Sequence, residues 1–89
     1  MRIFIIVAGG FANGAPCPHE GEYLESFDHD ADGGRGFATF TTDPFEAKRF
    51  PSKLAALYFW RKQSTVRPTR PDGEPNRPLT CLTIEVKPL

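Results

Sequence analysis

"EYLESFDHDADGGRGFATFTT", residues 22–42, is the stretch on which the fold turns. Within it Asp28, Asp30, Asp32 and Gly33 spell DxDxDG, the opening of an EF-hand calcium loop. Such a loop needs a helix on each side and a bidentate glutamate at its twelfth position. Counted from Asp28, that position is Thr39, and the eighth, normally apolar, is Arg35. The flanks alternate as strands do, with Tyr23 and Phe27 on one face against Leu24 and Ser26, then Phe37 and Thr39 against Ala38 and Phe40. The stretch is therefore expected to be an antiparallel hairpin with a solvated Asp/Gly loop, because glycine supplies positive φ and aspartate bonds its own backbone. Asp28, Asp30 and Asp32 are at most weak metal candidates, and no metal or cofactor is expected.

Outward from the hairpin, Ile3–Val7 is an apolar, β-branched run that predicts a strand buried on both faces, stopped by Gly9-Gly10. The glycine, asparagine and prolines of residues 9–21 predict a loop. After the hairpin, "TDPFEAKRF" has the form of a short helix, with Asp43 as cap, Pro44 at the first helical position and Pro51 as its stop. Ser52 then caps "KLAALYFWRKQ", which predicts the main helix over 53–63. "LTCLTIEVK" closes as a strand with Leu82, Ile84 and Val86 inward and Thr83, Glu85 and Lys87 outward. The order β-β-β-short α-α-β gives an α+β class: one domain over 1–89, a mainly antiparallel sheet of about four strands and one main helix on one face. Its expected core is Ile3, Ile5, Val7, Phe27, Phe40, Leu54, Leu57, Phe59, Leu82 and Ile84.

Composition narrows the function classes. The chain has 89 residues and is 39% hydrophobic with eight phenylalanines, which favours a packed globule, while nine prolines and eight glycines make it loop-rich. Net charge is zero but polarised: residues 1–46 hold two basic against eight acidic groups, a net of −6, and residues 47–89 nine against three, a net of +6. The apolar run near the N-terminus is short for an export signal, and nothing later is long enough to span a bilayer, so a cytoplasmic protein with free Cys17 and Cys81 and no membrane partner is expected.

Catalytic signatures are absent. Cys17, His19, His29 and Cys81 are zinc-ligand types, but their spacing matches no zinc pattern, and Cys17 beside His19 lacks a convergent third group. No catalytic residue is expected and an enzyme is the least favoured class. The most unusual feature is "STVRPTRPDGEPNRP", residues 64–78, which is nearly free of apolar side chains and reads as an extended or turning connection with a turn at Pro71-Asp72-Gly73. Arg67, Arg70 and Arg77 there, with Arg61 and Lys62 at the helix end, are the candidate binding residues for a protein partner. Guanidinium groups on a proline-stiffened frame bind carboxylates in pairs with little ordering entropy to lose. The competing structural reading has the same arginines pairing with the acidic hairpin of residues 20–32. A nucleic-acid partner is the alternative, weakened by the carboxylates of the first half.

"GEYLESFD", "GRGFATFTTDPFEAKRF", "ALYFWRKQS" and "RPDGEPNRPLT" together resemble, over residues 21–84, a family of short proteins of bacterial prophage and mobile-element neighbourhoods. That resemblance implies a small intracellular accessory protein that binds a host or phage protein, and carries over no catalytic residue.

Overall fold

The computed structural model describes residues 2–89. Four strands, β1 (Phe4–Phe11), β2 (Tyr23–Asp28), β3 (Phe37–Thr41) and β4 (Leu82–Pro88), form one antiparallel sheet in the order β3-β2-β1-β4. The apolar run of the N-terminus is thus a central strand, as its lack of alternation predicts. A single helical turn, α1 (Ala31–Gly34), lies in the β2–β3 loop, and the main helix α2 (Lys53–Trp60) packs on one face, giving the α+β fold expected.

Gly9-Gly10 does not stop β1. The strand runs through to Phe11 with a register irregularity between Ala8 and Phe11 against β4. A Cβ on Gly9 would strike the Thr83 hydroxyl and lie 3.0 Å from the Thr83 carbonyl oxygen. The glycine therefore marks a close approach of two strands at a bulge, not a break. β1 meets β2 at Val7 opposite Tyr23, and further along the chain at 48–50 fills the gap: Phe4 and Phe50 exchange backbone hydrogen bonds of 2.9 Å, and the Lys48 N–H donates to the Leu24 carbonyl at 2.9 Å.

A second bulge resets the hairpin's faces. Leu24 pairs with Phe40 and Phe27 with Ala38, while Tyr23 faces Thr41 and Ser26 faces Thr39. The irregularity between Leu24 and Ser26 inserts Glu25, so Leu24 and Phe27 share the core face and strict alternation, which separates them, is overturned. On the opposite face the Ser26 and Thr39 hydroxyls share a 2.6 Å hydrogen bond.

The expected short helix over 43–50 does not form. Asp43 Oδ1 accepts from the Phe45 N–H and the Asp43 carbonyl from the Glu46 N–H, so the capping residue makes one turn. The chain then leaves to pair with Leu24 and Phe4 at 48–50, since so short a segment cannot repay helix nucleation while a strand slot stands open. The main helix keeps its cap, Ser52 Oγ accepting from the Ala55 N–H at 3.0 Å, but ends at Trp60. Its inward residues are Ala55, Ala56, Phe59 and Trp60, and the Trp60 Nε1–H donates to the Leu82 carbonyl at 3.0 Å. Leu54, expected in the core, is 57% exposed.

The core consists of Ile6, Cys17, Leu24, Phe50, Ala56, Leu79 and Leu82, with Phe27, Phe40, Phe59, Ile84 and Val86 packed against it. Ile6 opposite Val86 and Ala8 opposite Ile84 define the helix-side face. Ile5 and Val7 lie on the other face opposite Lys87 and Glu85, and Ile5 is buried outside the main cluster. A run that is apolar on both faces carries no parity signal, so the expected set Ile3, Ile5 and Val7 lies on the face away from α2, where Ile5 is buried and Ile3 and Val7 are half-buried. Leu82, Ile84 and Val86 point inward as predicted.

Candidate functional site

The loop joining β2 to β3 is less solvated than its composition suggests, because it clamps the rest of the molecule. Asp28 Oδ1 accepts from the Asp30 N–H at 2.9 Å. The Asp30 carboxylate in turn accepts from Ser64 Oγ at 2.9 Å, the Thr65 N–H at 2.7 Å, Thr65 Oγ1 at 2.6 Å and the Val66 N–H at 3.3 Å. These donors hold the Asp30 carboxyl far below the usual carboxylate range, the Thr65 hydroxyl contributing most. Asp32 adopts φ +52° in the loop. The three aspartates do not converge, and among the described residues no group of three His, Cys, Asp or Glu side chains is placed to hold a metal ion.

His29 closes the other side of the clamp. Its Nε2 lies 2.9 Å from the Phe59 carbonyl in the last turn of α2, which also accepts from the Lys62 N–H at 3.3 Å. The ring sits edge-on between Phe27 at 4.7 Å and Phe59 at 4.9 Å, and is buried. Burial pushes its pKa below 6.5, outweighing the carbonyl that would favour the imidazolium, and Lys62 lowers it further. The folded state therefore resists protonation that the unfolded chain accepts. Stability is expected to be flat above pH 6.5 and to fall as pH drops from there through the lower folded value. Urea midpoints of wild type and His29→Gln from pH 8 to about 5 check this: the variant should lose most of that slope.

The segment 64–78 is a closed excursion, not an extended crossover. Ser64 donates its N–H to the Asn76 carbonyl at 2.9 Å, and Asn76 Nδ2 donates to the carbonyls of Gly34 at 2.7 Å and Arg67 at 2.9 Å. Between these ends the chain reverses at the expected Pro71-Asp72-Gly73 turn, with the Gly73 N–H on the Arg70 carbonyl at 2.9 Å. Gly34, at φ +94°, is where this loop lies on the hairpin: a Cβ there would be 2.7 Å from that of Arg67 and 3.1 Å from the Ser64 hydroxyl. Attachment to the acidic hairpin is thus real, but hydroxyls, backbone amides and the Asn76 side-chain amide make it; no hydrogen bond or ion pair links Arg67, Arg70 or Arg77 to the hairpin among the described residues. Arg70 pairs instead with Asp72 at 2.9 Å, both exposed.

Freed from that task, the candidate cations divide. Arg61, Lys62 and Arg77 line an open groove of about 720 Å³ with Phe50, Ala55, Tyr58 and Phe59. No acidic residue lines it. The Arg61 guanidinium lies 5.8 Å from the centre of the exposed Tyr58 ring, and Lys48 Nζ sits 5.0 Å and 5.8 Å from the Phe59 and Phe50 rings. Arg77 also lines a neighbouring cleft of about 300 Å³ with Arg70, Asn76 and Thr80. Arg67 lines neither. Sequence reasoning missed Lys48 and Phe50, which come from a stretch read as helix, and Tyr58, whose exposure depends on how α2 is rotated. The other ligand-type residues separate too: His29 is at the helix end, whereas Cys17, His19 and Cys81 line a cavity that His29 does not enter.

No protein-family model, curated protein or solved structure matches this chain.

Proposed function

We propose that this chain is a small accessory protein that acts by stoichiometric binding of a protein partner, without catalysis, and that the α2 groove takes an acidic segment of that partner bearing an apolar anchor. One observation carries the reading: an apolar, aromatic floor of Phe50, Ala55, Tyr58 and Phe59 under a rim of Arg61, Lys62 and Arg77, with no carboxylate among the lining residues. Aromatic floors desolvate an anchor side chain, and guanidinium forks pair with its flanking carboxylates. Leu54 and Tyr58, four residues apart on α2 and both more than half exposed, extend the apolar strip outward. Arg77 joins the groove to the cleft with Arg70, so a longer segment would run from the helix toward the 64–76 loop. The resemblance to prophage and mobile-element proteins agrees with a role of this kind. Among the described residues no helix is long and apolar enough to cross a membrane.

A single-stranded nucleic acid is the second reading, because Tyr58 and Phe59 with nearby arginines also suit base stacking. The zero net charge favours the protein partner. A peptide library displayed against the full chain separates the two. Acidic peptides with one aromatic or aliphatic anchor should be enriched, and the double change Arg61→Glu and Arg77→Glu should weaken them at least tenfold without moving the melting temperature. Enrichment without an acidic signature, or oligonucleotide binding that collapses with salt and is lost in the same variant, would replace this reading.

A further inference from the structure

We propose that the cavity between the hairpin and the Pro78–Leu82 turn is a binding site for a small monocarboxylate with an aromatic or branched aliphatic body, its carboxylate held by Arg35. The site is separate from the α2 groove: no residue of α2 lines it. Its volume is about 210 Å³, and its walls include Phe11, Phe27, Phe40, Leu79 and Leu82. An apolar cavity of roughly 150 Å³ holds one benzene ring, so this one takes a ring and a short substituent. Gly36, at φ +87°, preserves the shape, because a Cβ there would strike the Phe27 ring that forms the wall.

Charge chooses the ligand. Arg35 lines the cavity, is exposed, and its guanidinium makes no hydrogen bond or ion pair among the described residues. The lining holds no carboxylate; the other titratable groups are His19, whose ring lies flat on Phe40 at 4.3 Å, and the thiols of Cys17 and Cys81. One unpaired cation at the edge of an apolar pocket suits a single carboxylate, which a guanidinium meets with two parallel hydrogen bonds. A dianion would leave a charge unmatched at an apolar wall, and a polyol would find few donors there.

Sodium phenylacetate and its neutral isostere phenylacetamide test the proposal on the isotope-labelled full chain by NMR titration. Phenylacetate should give saturable shifts at Phe27, Ala38, Phe40 and Leu79, leave Ala55 and Tyr58 unmoved, and bind at least tenfold more tightly than the amide. Arg35→Gln should bring the acid to the affinity of the amide, and Ala38→Phe, which fills the cavity, should abolish both. A readout independent of variants comes from Cys81, which lines the cavity and is exposed: phenylacetate should slow its alkylation by iodoacetamide in the wild-type protein. Equal affinity for acid and amide, an unaltered affinity in Arg35→Gln, shifts confined to the α2 groove, or neither shifts nor protection at tens of millimolar phenylacetate would each overturn it.

Discussion

Replacing Ala56 by aspartate is expected to unfold the domain. Ala56 has 0% exposure and sits in the core cluster with Ile6, Leu24 and Phe50, so the carboxylate would have neither water nor a partner. Burying an unpaired charge belongs to the few mechanisms that cost about 4 kcal/mol or more. A chain of 89 residues has on the order of 5–13 kcal/mol in total at 0.05–0.15 kcal/mol per residue, so the change removes a large part of it. Leu54→Asp is the matched control: the same charge two residues earlier, at a position 57% exposed, should shift stability by only about 0.5 kcal/mol. Circular dichroism melts of the two variants read the rotation of α2 directly. A cooperative, wild-type-like melt for Ala56→Asp would mean that a different face of the helix is buried.

Asp30→Ala is expected to have the second largest effect, and a local one first. The change removes the acceptor of four hydrogen bonds and leaves the Ser64 hydroxyl, 1% exposed, with the Arg67 N–H as its remaining partner. The base of the 64–76 loop should open, so that amides of Ser64–Val66 and Asn76 exchange much faster than in wild type, with a fall of several degrees in melting temperature. Asp30→Asn should be milder, since Oδ1, which takes three of the four bonds, is kept as a carbonyl. Acid separates this clamp from that of His29. A carboxyl held below its usual 3.8 contributes stability that is intact above that value and is lost only as pH falls further, toward the folded pKa. The His29 contribution, by contrast, declines from pH 6.5 downward. Wild type should therefore show two acid steps, His29→Gln lacking the upper and Asp30→Ala the lower. Unchanged exchange at Ser64–Val66 in Asp30→Ala would show that Asn76 alone holds the loop.

If the α2 groove binds a partner as proposed, the clamp bears on that binding. His29 fixes the last turn of α2, Asp30 and Asn76 fix the two ends of the loop, and the cations of the groove lie just beyond these anchors at Arg61, Lys62 and Arg77. A site built this way loses little ordering entropy on docking, since the chain at its edge is already tied down. The proline-rich stretch is a surface loop with closed ends that turns back on itself, Thr69 bridging to Pro75.

What residue identity alone determined was the set of elements whose signal is local. Four strands, one capped helix at Ser52, the inward parity of β4 and the turn at Pro71-Asp72-Gly73 could all be read from periodicity and turn chemistry, because each depends on neighbours within a few positions. Tertiary structure decided everything that required a partner distant in the chain. Gly9-Gly10 became a bulge because Thr83 passes close by; Glu25 became a bulge that puts Leu24 and Phe27 on one face; the capped turn at Asp43 yielded to a strand slot beside Phe4. The cations sorted themselves in the same way. Arg61, Lys62 and Arg77, up to sixteen positions apart, meet only because Asp30 draws the chain back at Ser64 and Asn76 closes it, a long-range hydrogen-bond geometry that no local pattern encodes.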